Sequence, residues 1–156
     1  MKSSPSATDQ NERPAVFVDN YLLYQLAATS HLYSTEFHSF VKSQGVKIHV
    51  WRVLGCLIDQ PGLMLTELAK LVLYEQSRLT KIIDQMVDDG LVTKKTVASD
   101  RRKTSISITP KGRHIVTPLL SKAKEHEHNV LCILSDAEKD NLKKLLRKLT
   151  LHINAT

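Results

Sequence analysis

Residues 75–91 limit the fold more than any other part of the chain. Leu79, Ile82, Ile83, Met86 and Val87 stand at i, i+3, i+4, i+7 and i+8, the spacing of one buried helix face. Gln76, Arg78, Lys81 and Gln85 occupy the opposite face, with Ser77 and Thr80 near its edges. Gly90 is placed to end this helix as its C′ residue, and Leu91 to cover the end. Upstream, residues 65–71 read as a short helix whose first turn is capped by Thr66, joined to the next through Val72-Leu73-Tyr74. Downstream, 91–97 and 104–109 are rich in Thr, Val and Ile, with Ile106 and Ile108 alternating against Ser105 and Ser107. That pattern predicts two strands around a charged hairpin tip at 98–103.

The distribution of charge sharpens this picture. The chain of 156 residues carries 22 basic and 16 acidic side chains, a net +6. Between Leu91 and Arg113 there are seven bases and one acid, so the whole imbalance lies in the hairpin and its flank. Two short helices followed by a basic hairpin make a winged helix-turn-helix. The expected fold class is therefore mainly α: a winged helix-turn-helix with a two-stranded β wing, plus N- and C-terminal helices forming a dimerisation region.

The flanks supply those helices. From Val16 to about Ser43 one stripe at helical spacing runs through Leu22, Leu26, Thr29, Tyr33, Phe37 and Phe40 and a second through Leu23, Ala27, Ser34 and Val41, which predicts one long helix ended by Gly45. A further helix is expected over 48–59, closed by Gln60-Pro61-Gly62. Thr109 and Pro110 read as N-cap and N1 of a helix running to about Leu134, and Ser135-Asp136-Ala137-Glu138 is a capping box for a last helix carrying Leu142, Leu145, Leu146 and Leu149. The organisation read from this is a disordered arm at 1–14, a helical dimerisation region at 15–47 and 110–156, and a DNA-binding lobe at 48–109. Apolar surface on the first and last helices exceeds what a chain this short readily buries, which supports a homodimer.

A helix-turn-helix sets the start of its second helix in the DNA major groove. Here that start presents Gln76, Ser77, Arg78, Thr80 and Lys81. Gln can pair with adenine and Arg with guanine through two hydrogen bonds each, while Ser, Thr and Lys suit phosphate. In the hairpin, Lys95, Asp100, Arg101, Arg102 and Lys103 complete the candidate contacts, since an Arg at the tip fits the narrow, electronegative minor groove.

The run 77–92, then Asp100-Arg101-Arg102 and Ile106-Ser107-Ile108-Thr109-Pro110-Lys111-Gly112, resembles the multiple-antibiotic-resistance regulator (MarR) family. The resemblance extends over roughly residues 16–153. It implies a homodimer built from the first and last helices and a pseudo-palindromic double-stranded operator. It also implies that Arg102 enters the minor groove, oriented by Asp100, with Arg101 on phosphate or in the same groove. His49-Val50-Trp51-Arg52-Val53-Leu54 resembles a stretch in the family's regulators of aromatic-acid catabolism.

Family members commonly release DNA when a small aromatic acid or phenol binds. The candidate effector residues are His31, His38, His49, Trp51 and Arg52, with Arg52 able to grip a carboxylate through two bonds. The expected function is thus a ligand-responsive regulator, most naturally a repressor. A constitutive DNA-binding protein without effector and a metal-sensing regulator are the alternatives. His114, His126 and His128 suit a metal poorly, because His-x-His in a helix points its rings in different directions. Neither a phosphate-binding Gly-rich loop, a nucleophile elbow nor a His-Glu-x-x-His pair is present, so no catalysis, cofactor or metal is expected. Cys56 and Cys132 read as packed, reduced thiols. With no apolar run of spanning length and no signal-like N-terminus, a cytoplasmic location without membrane contact is expected.

Overall fold

The computed structural model describes residues 16–97 and 100–154, and the side chains of all of these but 100–102 and 154. The expected arm at 1–14 and the turn residues 98–99 lie outside the described residues. The chain divides between Thr35 and Glu36 into two units. In the first, α1 (Phe17–Asn20) and the start of α2 (Leu22–Ser43) replace the single helix expected from Val16. Tyr21 adopts an extended conformation between them. The reason is local: the Asp19 carboxylate accepts from the Val16 N–H at 3.1 Å and closes α1 on itself, while the Gln25 side-chain amide donates to the Asp19 carbonyl. Leu22, Leu23 and Tyr33, expected on two buried stripes, are exposed in the single chain, as are Tyr24 and Leu32.

The second unit contains the rest of α2 and α3 (Ile48–Leu57), β1 (Leu63–Met64), α4 (Leu65–Val72), α5 (Gln76–Asp88), β2 (Val92–Val97), β3 (Asp100–Ile108), α6 (Pro110–Val130) and α7 (Asp136–Asn154). Its core joins Leu54 and Leu57 of α3, Leu68 of α4, Leu79, Ile83 and Met86 of α5, Ile106 of β3 and Val116 of α6, all without solvent exposure. A smaller cluster gathers Phe37 and Val41 of α2 around Leu119 of α6.

The helix boundaries follow from caps. Thr66 is not the cap of α4. The N-cap is Met64, whose N–H donates to the Glu67 carboxylate at 3.2 Å, and Thr66 stands one residue inside the helix. Gly90, with φ +70°, ends α5, and Leu91 is buried behind it. Thr109 caps α6 as expected: its hydroxyl accepts from the Gly112 N–H at 3.0 Å and donates to the Gly90 carbonyl at 2.8 Å. That one side chain ties the end of α5 to the start of α6. Ser135 and Glu138 form the expected box on α7, with the Ser135 N–H donating to the carboxylate at 2.8 Å. The helix expected to reach Leu134 ends at Val130.

The sheet is larger than the two strands read from the sequence. β1 pairs antiparallel with β3 (Leu63↔Ile106), giving the order β1-β3-β2. β2 and β3 pair from Val92↔Ile108 out to Val97↔Asp100, with an irregularity between Thr96 and Val97. Residues 100–103, expected in a loop-like tip, therefore continue β3. Backbone pairing extends the charged segment outward as a wing.

Candidate nucleic-acid interface

Burial of Leu79, Ile83 and Met86 fixes the rotation of α5 and turns its other face outward. Gln76, Ser77, Arg78 and Lys81 are exposed there, in one patch on the first turns of the helix. Thr80 is half-buried and its hydroxyl donates to the Gln76 carbonyl at 2.9 Å, so in the free chain it serves the helix. The turn before α5 contains Leu73 in the left-handed region, φ +58°, which is strained for a residue with a branched side chain. This Leu is 83% exposed beside the outward face of α5. The turn also sets Tyr74 under α5: the Arg78 guanidinium lies 4.5 Å from its ring centre and that of Arg52 5.8 Å. Neither Leu73 nor Tyr74 stands out in the sequence, because both features arise from a turn whose length alone was readable.

The wing adds cations, though fewer free ones than the sequence count suggests. Lys94 pairs with Asp84 at 2.8 Å, and the Lys111 ammonium donates to the Asp89 carbonyl at 2.7 Å. These two bases brace the wing and α6 against α5. Lys95 and Lys103 are exposed. The backbone of Asp100, Arg101 and Arg102 lies in β3, and their side chains are outside the described set. A recess of about 330 Å³ is lined by Thr66 and Glu67 of α4, Gln76 of α5, and Lys103 and Thr104 of β3. The structure thus brings Gln76 and Lys103 together at the meeting of two helix N-termini and a strand. Helix N-termini favour anions.

The candidate effector residues separate. His38 and Arg52 belong together: burial first, then the Arg52 guanidinium and Lys42, hold the His38 imidazole below its ordinary pKa. His49 is held below its ordinary value by burial, then by Lys47 and Arg78, and lines a recess of about 150 Å³ with Gln85, Met86 and Ile115. Trp51 packs edge-on against Phe37, with ring centres 5.2 Å apart, and touches both core clusters. His31 lies in the other unit, exposed, its carbonyl accepting from the Thr35 hydroxyl at 2.7 Å. Of the two thiols, Cys56 is half-buried and burial raises its pKa. Cys132 is exposed, which corrects the packed reading. Among the described residues no group of three or more His, Cys, Asp or Glu could hold a metal ion.

Two short helices, a following strand pair and an outward polar helix face define a winged helix-turn-helix. Comparison with known proteins narrows this class. The sequence model of the MarR family matches residues 44–103. The crystal structure of the MarR family transcriptional regulator SPO1453 from Silicibacter pomeroyi DSS-3 is similar at 43% identity and TM-score 0.77, covering 89% of this chain and 99% of that one. The chain belongs to the MarR family of transcriptional regulators. A putative transcriptional regulatory protein for the hcr operon of Thauera aromatica is 27% identical over 107 residues, 69% of this chain and 64% of the relative's length. This chain therefore spans just under two thirds of that relative. Bordetella bronchiseptica BpsR, in a structure concerned with regulation of its DNA binding by 6-hydroxynicotinic acid, shares the fold at 22% identity and TM-score 0.75, covering 88% of this chain and 98% of that one. No described helix is long and apolar enough to cross a membrane.

Proposed function

We propose that this protein is a transcriptional repressor that binds a pseudo-palindromic DNA duplex as a homodimer and releases it when a small aromatic carboxylate or phenol binds. The observation that carries the reading is the patch Gln76, Ser77, Arg78 and Lys81, exposed on the first turns of α5 beside Lys103 of the wing. In this reading Gln76 and Arg78 meet base edges, Ser77, Thr80, Lys81, Lys95 and Lys103 hold phosphate, and Arg101 and Arg102, with Asp100, serve the adjacent minor groove. Residues 48–109 are the reading lobe, and 15–47 and 110–156 the dimerisation region. The half-exposed leucines of α7 and the exposed apolar side chains of 16–35 supply that surface.

Arg52 is the anion anchor, with His38 beside it and His49 and Trp51 of the same unit completing the effector set. The acid that regulates BpsR has the same chemistry, a hydroxylated aromatic ring with a carboxylate. Selection of duplexes from a random pool should return a two-fold motif with half-site centres about 10–10.5 bp apart. Hydroxybenzoates, hydroxycinnamates and pyridine carboxylates, tested by band shift on that duplex, should include at least one that releases wild type but not Arg52→Ala. Recovery of no motif would sink the DNA reading. A motif with no responsive acid would leave a constitutive binder.

A further inference from the structure

Tyr74 holds a position that the roles of Arg52 and Arg78 leave unused. It lies between left-handed Leu73 and Glu75, the N-cap of α5, and its N–H donates to the Ala69 carbonyl at 3.1 Å. Its half-buried ring packs against the core of the lobe, so its place is set by the fold. Two guanidiniums share that ring, Arg78 from α5 at 4.5 Å and Arg52 from α3 at 5.8 Å from its centre. Among the described residues neither arginine has a carboxylate partner. The ring between them attracts both.

An aromatic face draws a cation within about 6 Å through its quadrupole, and two cations held on one ring repel each other. With Arg52 bare, that repulsion loosens the hold of the ring on Arg78, which rests 4.5 Å from its centre, so that DNA can draw it outward. With the charge of Arg52 neutralised, the ring holds Arg78 more tightly. We propose that Tyr74 is the positioning residue that couples an anion at Arg52 to the reach of Arg78, so that anion binding holds Arg78 back from the DNA groove. The inference rests on Arg52 as anion anchor and Arg78 as base reader, and it supplies the link between them. Coupling is reciprocal: DNA that draws Arg78 outward leaves the ring to Arg52 and weakens its grip on the anion.

The link can be tested with no effector, because Arg52→Gln removes the same charge that an anion would neutralise. Binding of the full chain to the duplex selected by wild type is measured for Arg52→Gln in three backgrounds: wild type, Tyr74→Phe and Tyr74→Leu. Arg52→Gln should weaken binding about threefold more in the wild-type and Tyr74→Phe backgrounds, which keep the ring, than in the Tyr74→Leu background, as expected for a single exposed cation–π contact. Loss of a general electrostatic attraction to DNA would weaken all three equally, and that result overturns the coupling. Arg78→Gln, measured beside them, separates the two layers. If it leaves affinity and base preference unchanged, the reader role falls and the coupling with it. If it relaxes base preference while the three backgrounds respond alike, the reader role stands and only the coupling falls. Tyr74→Met provides a second ringless side chain should Tyr74→Leu melt early.

Discussion

The lobe and the last helix carry the same kind of apolar pattern and meet opposite fates. In α5, Leu79, Ile83 and Met86 have no solvent exposure, enclosed with residues of α3, α4, β3 and α6. In α7, leucines spaced as regularly remain open, Leu145 at 50% and Leu149 at 45%. The start of the helix does not explain it: α7 has a side-chain cap that α5 lacks, with the Ser135 hydroxyl donating to the Glu138 carboxylate at 2.7 Å. What differs is a covering surface. Helices in proteins owe most of their stability to a packed face, so a capped helix with an uncovered leucine stripe implies a second surface that the lobe does not need.

Substitutions can break this contrast from either side. The largest effects should fall in the lobe. Ile83→Ala should cost about 2–5 kcal/mol, read as a lowered denaturant midpoint with an unchanged slope. Gly112→Ala should be comparably damaging, because a Cβ there would run into the Leu91 carbonyl and lie 2.9 Å from Ile108 Cγ1, at the join between wing and α6. Next, replacing Leu145 and Leu149 of α7 together by Ala should raise the dimer dissociation constant at least about tenfold while the lobe keeps its circular dichroism. An unchanged association state would mean that the α7 face is not covered by a second copy. Arg78→Gln should cost roughly 1–3 kcal/mol of discrimination at one base pair, read by selection from a randomised half-site.

The smallest effect concerns pH. Burial, Arg52 and Lys42 depress the His38 pKa below 6.5, so the unfolded chain binds more protons than the folded one once pH falls through that value. The part of stability that depends on neutral His38 is present above pH 6.5 and declines as pH falls toward the depressed folded value. His38→Gln should flatten that decline in urea melts between pH 7.5 and pH 5. A slope that survives the substitution would assign the effect to another group.

Much of the lobe was legible because its signals are local. Thr109 and Pro110, Ser135 and Glu138, and Gly90 act within a few residues of themselves, and each does what its spacing implies. The outward face of α5 followed from the apolar period of its inward face. The misses arise where distant residues decide. β1 is two residues long and exists because Leu63 meets Ile106, a pairing without any periodic trace. Lys94 and Lys111 counted as free charge until the fold brought Asp84 and the Asp89 carbonyl to them. Arg52 and Arg78, 26 positions apart, share one ring only through the turn at Leu73.

An α5 face that reads DNA in a two-fold pair of chains fixes both the stoichiometry and the footprint of the complex. Sedimentation equilibrium of the full chain with the selected duplex, alongside a footprint of the same complex, tests it most directly. Two chains per duplex are expected, with two protected half-sites whose centres lie about one helical turn apart. A single chain protecting a single half-site would contradict it.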